Sequence, residues 1–257
     1  MKRVITALIL IPLFVYLVLW APQPVFIAAV CAVAILCFHE YSGLVALHTT
    51  PSPGLFGYTA GLLVLLLPTS SMAFVILIAL FAFALGLRAR DLAETLPFAA
   101  SLLFGVLYVF GALRTGVELR GLSVYWLLFA LSLNWVGDIA ALYVGKAIGR
   151  HKLNVRISPG KTWEGAAGSM LAAIAYGAVY FPKLLPTVPL AQGLAIAAIG
   201  NIAGQVGDLA ESAMKRGAGV KDSGTLLPGH GGWLDRLDSS LFALPVVYFL
   251  LLNLGIQ

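Results

Sequence analysis

The 257-residue sequence is 60% hydrophobic and only 11% charged, against about 25% charged in ordinary soluble domains, and its mean hydropathy is +0.96. So few ionisable side chains cannot coat a chain of this size for water, which excludes a soluble helical protein and implies that lipid covers most of it. The formal net charge of +5 would point to nucleic acid in a soluble protein; here the positive-inside rule accounts for it, and no nucleic-acid partner is expected.

A crossing helix needs about 20 mostly apolar residues. Nine segments read as candidates, near 4–20, 24–41, 55–69, 72–87, 96–113, 122–145, 165–182, 189–207 and 239–255. The first follows Lys2-Arg3 as a secretory signal would, but no small-x-small cleavage site precedes Pro22, so an uncleaved helix is expected. The third is short and flanked by Gly and Pro. Cys31 and Cys37 share one apolar stretch without CxxC or zinc spacing and read as small buried side chains. His39 and His48 read as interfacial.

Loop charges test the count. With the N-terminus in the cytoplasm and strict alternation, the inner side holds Lys2, Arg3, Arg88, Arg90, Lys146, Arg150, Lys152, Arg156, Lys161, Lys215, Arg216, Lys221 and Arg236, and the outer side only Arg114, Arg120 and Lys183. That is 13 against 3 of the 16 Lys and Arg, the expected direction of bias. The sequence therefore predicts an all-α integral membrane protein of about nine transmembrane helices, N-terminus cytoplasmic, with charged loops on the cytoplasmic face. It reads as one polytopic membrane domain over 1–257: 1–121 a helical scaffold, and 122–257 the part that carries the chemistry, with cytoplasmic loops 146–164 and 208–238.

The chemistry concentrates in three stretches. In the eighth segment Asn201, Gln205, Asp208, Ser212 and Lys215 follow steps of 4, 3, 4 and 3, which puts them on one helical stripe. Gly200, Gly204 and Gly207 form an adjoining small-residue stripe that lets another helix approach. Such a stripe can be interhelical glue, but an ionisable residue at membrane depth points first to function.

The second stretch is a Gly-rich loop, Gly217 to Gly232, ending in Asp235-Arg236-Leu237-Asp238 at the start of the last helix. Its glycines allow close approach of a phosphate to backbone N–H groups, and Lys215, Arg216, Lys221 and Arg236 supply positive charge. Asp235 and Asp238 at a helix start would gain from its dipole whatever their role. Beside Asp208 they suit Mg²⁺, which uses one or two carboxylates plus substrate phosphates, and Asp208 with Asp235 is the expected metal pair. His230 lies between glycines in this loop, placed to donate to a phosphate or simply to shape the turn.

The third stretch pairs Asn134 and Asp138 on one face of the sixth helix with Ser158-Pro159-Gly160-Lys161-Thr162-Trp163-Glu164-Gly165. Topology alone accounts for Arg150 and Lys152, less well for Ser158–Gly165. Gly160-Lys161-Thr162 imitates the end of a Walker A loop, but position 155 is Val where that motif needs Gly. No P-loop is expected, and neither HExxH nor GxSxG occurs.

The run Ser212-x-x-Lys215-Arg216-x4-Lys221-Asp222-x-Gly224-x-x-Leu227-Pro228-x-His230-Gly231-Gly232-x-x-Asp235-Arg236-x-Asp238 resembles the pattern of phosphatidate cytidylyltransferases, also called CDP-diacylglycerol synthases. Ser158–Gly165 is similar to a second block of that family; residues 1–130 resemble it in hydropathy only. The resemblance implies an enzyme of phospholipid biosynthesis. It would make CDP-diacylglycerol and pyrophosphate from CTP and phosphatidate, with Mg²⁺ and a monovalent cation such as K⁺, at the cytoplasmic face of the bacterial inner membrane. It implies metal ligation by Asp208 and Asp235 and catalytic roles for Lys215, Lys221, Arg236 and Asp238. Substrate contacts are expected from Asp138, Ser158, Lys161, Ser212, Arg216, Asp222 and His230. The family's Asp-Ser/Thr-Gly-Ala-Tyr run reads Asp138-Ile139-Ala140-Ala141-Leu142 here: the acid is kept, and the hydroxyl, Gly and Tyr are not. Two alternatives stay open: a CTP-dependent enzyme for another lipid phosphate or a polyprenol, and a polytopic transporter. The small-residue helix faces suit either a homodimer or packing within one chain.

Overall fold

The structure, a computed structural model, describes residues 12–48, 50–67, 72–88, 91–227, 229 and 231–256. After helical residues 12–19 the chain forms α1 (Gln23–Leu47), α2 (Gly54–Leu66), α3 (Met72–Gly86), a 3-10 turn (Leu92–Glu94), α4 (Thr95–Gly105), a π segment (Val106–Gly111) and α5 (Ala112–Leu122). It continues with α6 (Val124–Ile148), strands β1 (Lys152–Asn154) and β2 (Ser158–Thr162), α7 (Trp163–Leu184), α8 (Leu190–Gly217) and α9 (Leu234–Leu254).

Among the described residues six helical stretches are long and apolar enough to cross a membrane: Gln23–Leu47, Leu92–Leu122, Val124–Ile148, Trp163–Leu184, Leu190–Gly217 and Leu234–Leu254. An all-α membrane protein is therefore the right class. Gly54–Leu66 and Ala73–Gly86 are apolar but shorter; at 1.5 Å per residue the former spans about 20 Å, less than the hydrocarbon core. Residues 4–11 of the expected first span lie outside the described residues.

The described chain separates into two compact units, one gathering Pro22–Arg114 and Met214–Arg236, the other Phe14–Ala21, Thr115–Ala213 and the chain from Leu237 onward. In the first unit Ala60 and Val64 of α2, Ile78, Ala82 and Leu85 of α3, and Ala99, Leu102 and Val106 of the α4–π helix form one apolar core. α1 begins at Pro22, with a further proline in its first turn where no helical N–H is lost. The C-terminal half of α1 holds most of its buried residues, including Glu40, Tyr41 and Ser42, and the Tyr41 hydroxyl donates to Ser101 O at 2.8 Å.

In the second unit α6 and α7 pack through rings: Phe129 lies against Tyr176, Tyr180 and Phe181, with centroids 6.0, 5.2 and 4.7 Å away. The polar tips find partners: Tyr180 donates to Tyr125 O at 2.6 Å, and Ser132 pairs with Tyr176 at 2.7 Å. The Thr162 hydroxyl accepts from Gly165 N at 3.1 Å, a side-chain cap that starts α7.

Four boundaries differ from the sequence expectation. Loop 146–164 contains an antiparallel two-stranded ribbon, with Lys152 opposite Thr162 and Asn154 opposite Ser158. Its open end is closed by Glu164, whose carboxylate accepts from Arg150 N (3.1 Å), His151 N (3.2 Å) and His151 Nδ1 (2.6 Å). The eighth helix does not stop at 207, just before the first charge at Asp208, but runs on to Gly217. It ends at Gly219, φ +74°, in a Schellman closure: Val220 N donates to Lys215 O (3.0 Å) and Gly219 N to Arg216 O (3.1 Å). Thus Asp208, Ser212 and Lys215 are helical, as their spacing predicts, and with Arg216 they lie on the helix rather than in the expected loop 208–238. The last helix likewise takes in Asp235, Arg236 and Asp238.

The fourth difference concerns Arg114 and Arg120, expected in an outer loop. Both lie on α5. Arg114 Nη1 donates to Val64 O (3.0 Å) and to Leu67 O at the end of α2. Arg120, only 9% exposed, donates from Nε to Val18 O (2.8 Å) and from Nη2 to Ala21 O (2.5 Å). Carbonyls at a helix end lack intrahelical donors, and a guanidinium fork supplies them where no water can.

Candidate active site

The residues singled out in the sequence fall into two clusters, one in each unit. The first surrounds loop 218–233. Lys215 on α8 reaches Asp235 at the start of α9, Nζ to Oδ1 2.5 Å, with side chains 10% and 5% exposed. The other oxygen, Oδ2, accepts from Ser223 N (3.0 Å) and Gly232 N (2.8 Å). One carboxylate thus ties together the helix before the loop, its early turn and its last residues. Gly231 has φ +80°, and a Cβ there would sit 2.7 Å from Asp235 Oδ2; both facts require glycine.

Between these ties the loop encloses a cavity of about 520 Å³ lined by Lys221, Asp222, Gly224, Thr225, Leu227, Gly229, Gly231 and Arg236. The Leu227–Gly231 bridge shapes one wall, Leu227 N donating to Gly231 O at 3.0 Å. Arg216 turns instead to the loop backbone, donating to Val220 O at 3.0 Å. So Lys221, Asp222 and Arg236 face the cavity, while Lys215, Arg216 and Asp235 build its frame. His230 lies outside the described residues.

The second cluster sits on α6, the ribbon and α8. Lys161 Nζ pairs with Asp208 Oδ2, the two side chains 29% and 28% exposed. Ser212 Oγ donates to Asp208 Oδ1 at 3.3 Å. Asp138 lies within electrostatic reach of both Asp208 and Lys161. Ser158 opens β2 and Lys161 stands three residues along it, so the ribbon delivers the lysine to α8. Asp238 accepts from Ser239 N at 2.7 Å, and its carbonyl meets α8 at Gly207.

The remaining stripe residues hold the helices together. Asn201 donates to Ser169 Oγ (3.0 Å), and Gln205 donates to Asn201 Oδ1 (2.7 Å) and Ala166 O (3.2 Å). A Cβ at Gly204 would lie 2.1 Å from Asn134 Oδ1, and one at Gly207 2.6 Å from Asp238 O. The expected stripe thus divides along the helix: Asn201 and Gln205 bind α7, and Asp208 and Ser212 follow nearer its C-terminal end. The expected small-residue face is occupied within the chain.

Sequence reasoning overlooked two buried acids. Glu40 on α1 is 4% exposed and Glu211 on α8 is 1% exposed. A lone acid in a mostly apolar helix was signal enough to mark Glu40; Glu211 stands among Asp208, Ser212 and Lys215 in the charged stretch.

A carboxylate pair with room for phosphate oxygens suits Mg²⁺. Asp138 and Asp208, which interact electrostatically, are the candidates for such a pair; among the described residues no three His, Cys, Asp or Glu side chains gather to hold a metal without outside ligands. Asp235 already accepts at both oxygens.

Comparison with known proteins extends the match beyond the loop. A family model described as "Cytidylyltransferase family" matches residues 1–254. The chain is 34% identical over 262 residues to a phosphatidate cytidylyltransferase of Bacillus subtilis, covering 97% of each chain. To the protein of that name from Brucella suis biovar 1 it is 36% identical over 251 residues, covering 96% of this chain and 91% of the other. To one from Staphylococcus aureus (strain COL) it is 40% identical over 157 residues, 60% of each. With a family model spanning nearly its whole length, this chain belongs to the cytidylyltransferase family.

Proposed function

We propose that this protein transfers the cytidylyl group of CTP to phosphatidate, giving CDP-diacylglycerol and pyrophosphate. The observation that carries the reading is that the pattern residues Lys221, Asp222 and Arg236 line one glycine-walled cavity, in a chain whose full-length relatives bear that activity as their name.

A phosphatidate oxygen forms a bond to the α-phosphorus of CTP as the bond to the β-phosphate oxygen breaks, and pyrophosphate leaves with that electron pair. The nucleophile is already anionic, so no strong base is needed. The difficulty is bringing two polyanions together, which fixed positive charge and backbone N–H groups relieve. Lys221 and Arg236 neutralise phosphate charge at the cavity. Lys161 is held ready by Asp208 and is released toward an incoming phosphate.

Mg²⁺, when bound, would supply charge neutralisation and a template for the triphosphate. Asp208 would hold it with Asp138; Asp235, a ligand by resemblance, would hold the loop instead. A requirement for K⁺ is part of the same proposal. The charge bias supports an N-terminus and charged loops at the cytoplasmic face of the inner membrane. The packed glycines of α8 give no support to a homodimer through that face.

The purified protein, given CTP, Mg²⁺ and a panel of lipid phosphates, is expected to release pyrophosphate with phosphatidate. Turnover confined to a polyprenol or ether-lipid phosphate would replace the substrate, and no turnover by folded protein would end the reading.

A further inference from the structure

We infer that Glu40 is a positioning residue for the reaction proposed above, acting through the loop that lines the cavity. Glu40 lies on α1, where it is the one acid of the helix, and is 4% exposed. Its partners are far along the chain. Oε1 accepts from Trp233 N at 3.0 Å. Oε2 accepts from Leu234 N at 2.8 Å and from the Ser223 hydroxyl at 2.9 Å. All three donors belong to the two ends of the cavity loop.

Glu40 therefore, like Asp235, ties the two ends of the loop together. Ser223 joins them, giving its N–H to Asp235 and its hydroxyl to Glu40. The fit is tight: a Cβ at Gly232 would lie 2.2 Å from Glu40 Oε2, and one at Gly224 2.6 Å from Oε1. The chain between those glycines supplies Thr225, Leu227, Gly229 and Gly231 to the cavity wall, and Arg236 follows one turn into α9. Two of the donors are N–H groups at the start of α9, which have no intrahelical acceptor. A glutamine would present an N–H₂ to at least one donor and break that contact. Neither cavity-facing cation touches Glu40 among its contacts here, so its effect passes through the loop backbone.

The test compares wild type, E40Q, S223A and the double variant in purified, detergent-solubilised full-length protein. Two readouts are taken: KM and kcat for CTP and phosphatidate, and the rate of tryptic cleavage after Lys221, an exposed residue of the loop. E40Q is expected to raise KM for at least one substrate about tenfold, as loss of about one hydrogen bond would. It should also speed cleavage after Lys221 with a thermal midpoint near that of wild type. Adding S223A to E40Q should change each readout less than twofold, because both act through one contact. Wild-type KM and cleavage in E40Q, or effects that multiply in the double variant, would overturn the inference. If E40Q does not fold, S223A alone decides: unchanged KM and cleavage would refute it. If wild type makes no CDP-lipid, the functional reading fails, and the cleavage rates still decide whether Glu40 holds the loop.

Discussion

Lys215 and Asp235 form an ion pair with a 2.5 Å contact and almost no exposure. It joins the end of α8 to the start of α9. Breaking one side of such a pair leaves a buried charge uncompensated, which costs roughly 3–5 kcal/mol. Asp235→Asn is therefore expected to lower thermal stability markedly as well as turnover. Lys215→Met combined with Asp235→Asn should recover most of the stability and none of the activity. Thermal unfolding beside the turnover assay checks this; full stability in the single Asn variant would show that the pair does not hold the loop.

Lys161 and Asp208 are more exposed, so their pairing adds little stability and their loss should register in catalysis. Asp208→Asn is expected to cut kcat at least 100-fold, about 2.7 kcal/mol of barrier. Lys161→Ala should act chiefly on KM. A Mg²⁺ titration separates the two roles. Asp208→Asn should shift the Mg²⁺ requirement upward, and Lys161→Ala, which removes a competing cation from the carboxylate, should not. Equal Mg²⁺ dependence in wild type and Asp208→Asn would remove Asp208 from the metal site.

At Gly207 α9 packs closely against α8. Alanine there would place Cβ 2.6 Å from Asp238 O and 2.9 Å from Phe242 Cδ2. Overpacking of this kind costs about 1–3 kcal/mol. Gly207→Ala should lower the unfolding temperature, while Gly160→Ala, with open space around its Cα, should leave it unchanged.

Arg120 is expected to matter for folding and not for chemistry. Arg120→Leu strands the carbonyls of Val18 and Ala21, at about 1–3 kcal/mol for each buried group left unsatisfied. Stability should fall while KM for both substrates stays at the wild-type value. A changed KM would contradict this assignment.

The helices and the loop cluster were legible because their signals are local. Apolar length marks a span, 3–4 spacing marks the Asn201–Lys215 stripe, and glycine with lysine marks the cavity loop. Helix ends were less legible. Hydropathy falls at the first charge, whereas the α8 ladder continues until the chain must turn left-handed at Gly219. The ribbon at 152–162 was hidden by Pro159 and Gly160, residues that weaken a strand reading. Glu40 was missed for a different reason. Its partners are 183 to 194 positions away, so no spacing in the sequence connects them. Arg114 and Arg120 were read as loop charges because a positive residue between spans looks topogenic until the helix carbonyls it meets are known.

The most direct measurement of the proposed chemistry follows the label through one turnover. Purified protein with phosphatidate and Mg²⁺ receives CTP labelled with phosphorus-32 at either the α or the γ position. Attack at the α-phosphorus predicts α-label in the lipid fraction as CDP-diacylglycerol and γ-label in pyrophosphate, in equal amounts. Label from the γ position in the lipid, or release of γ-label without any lipid product, would contradict cytidylyl transfer.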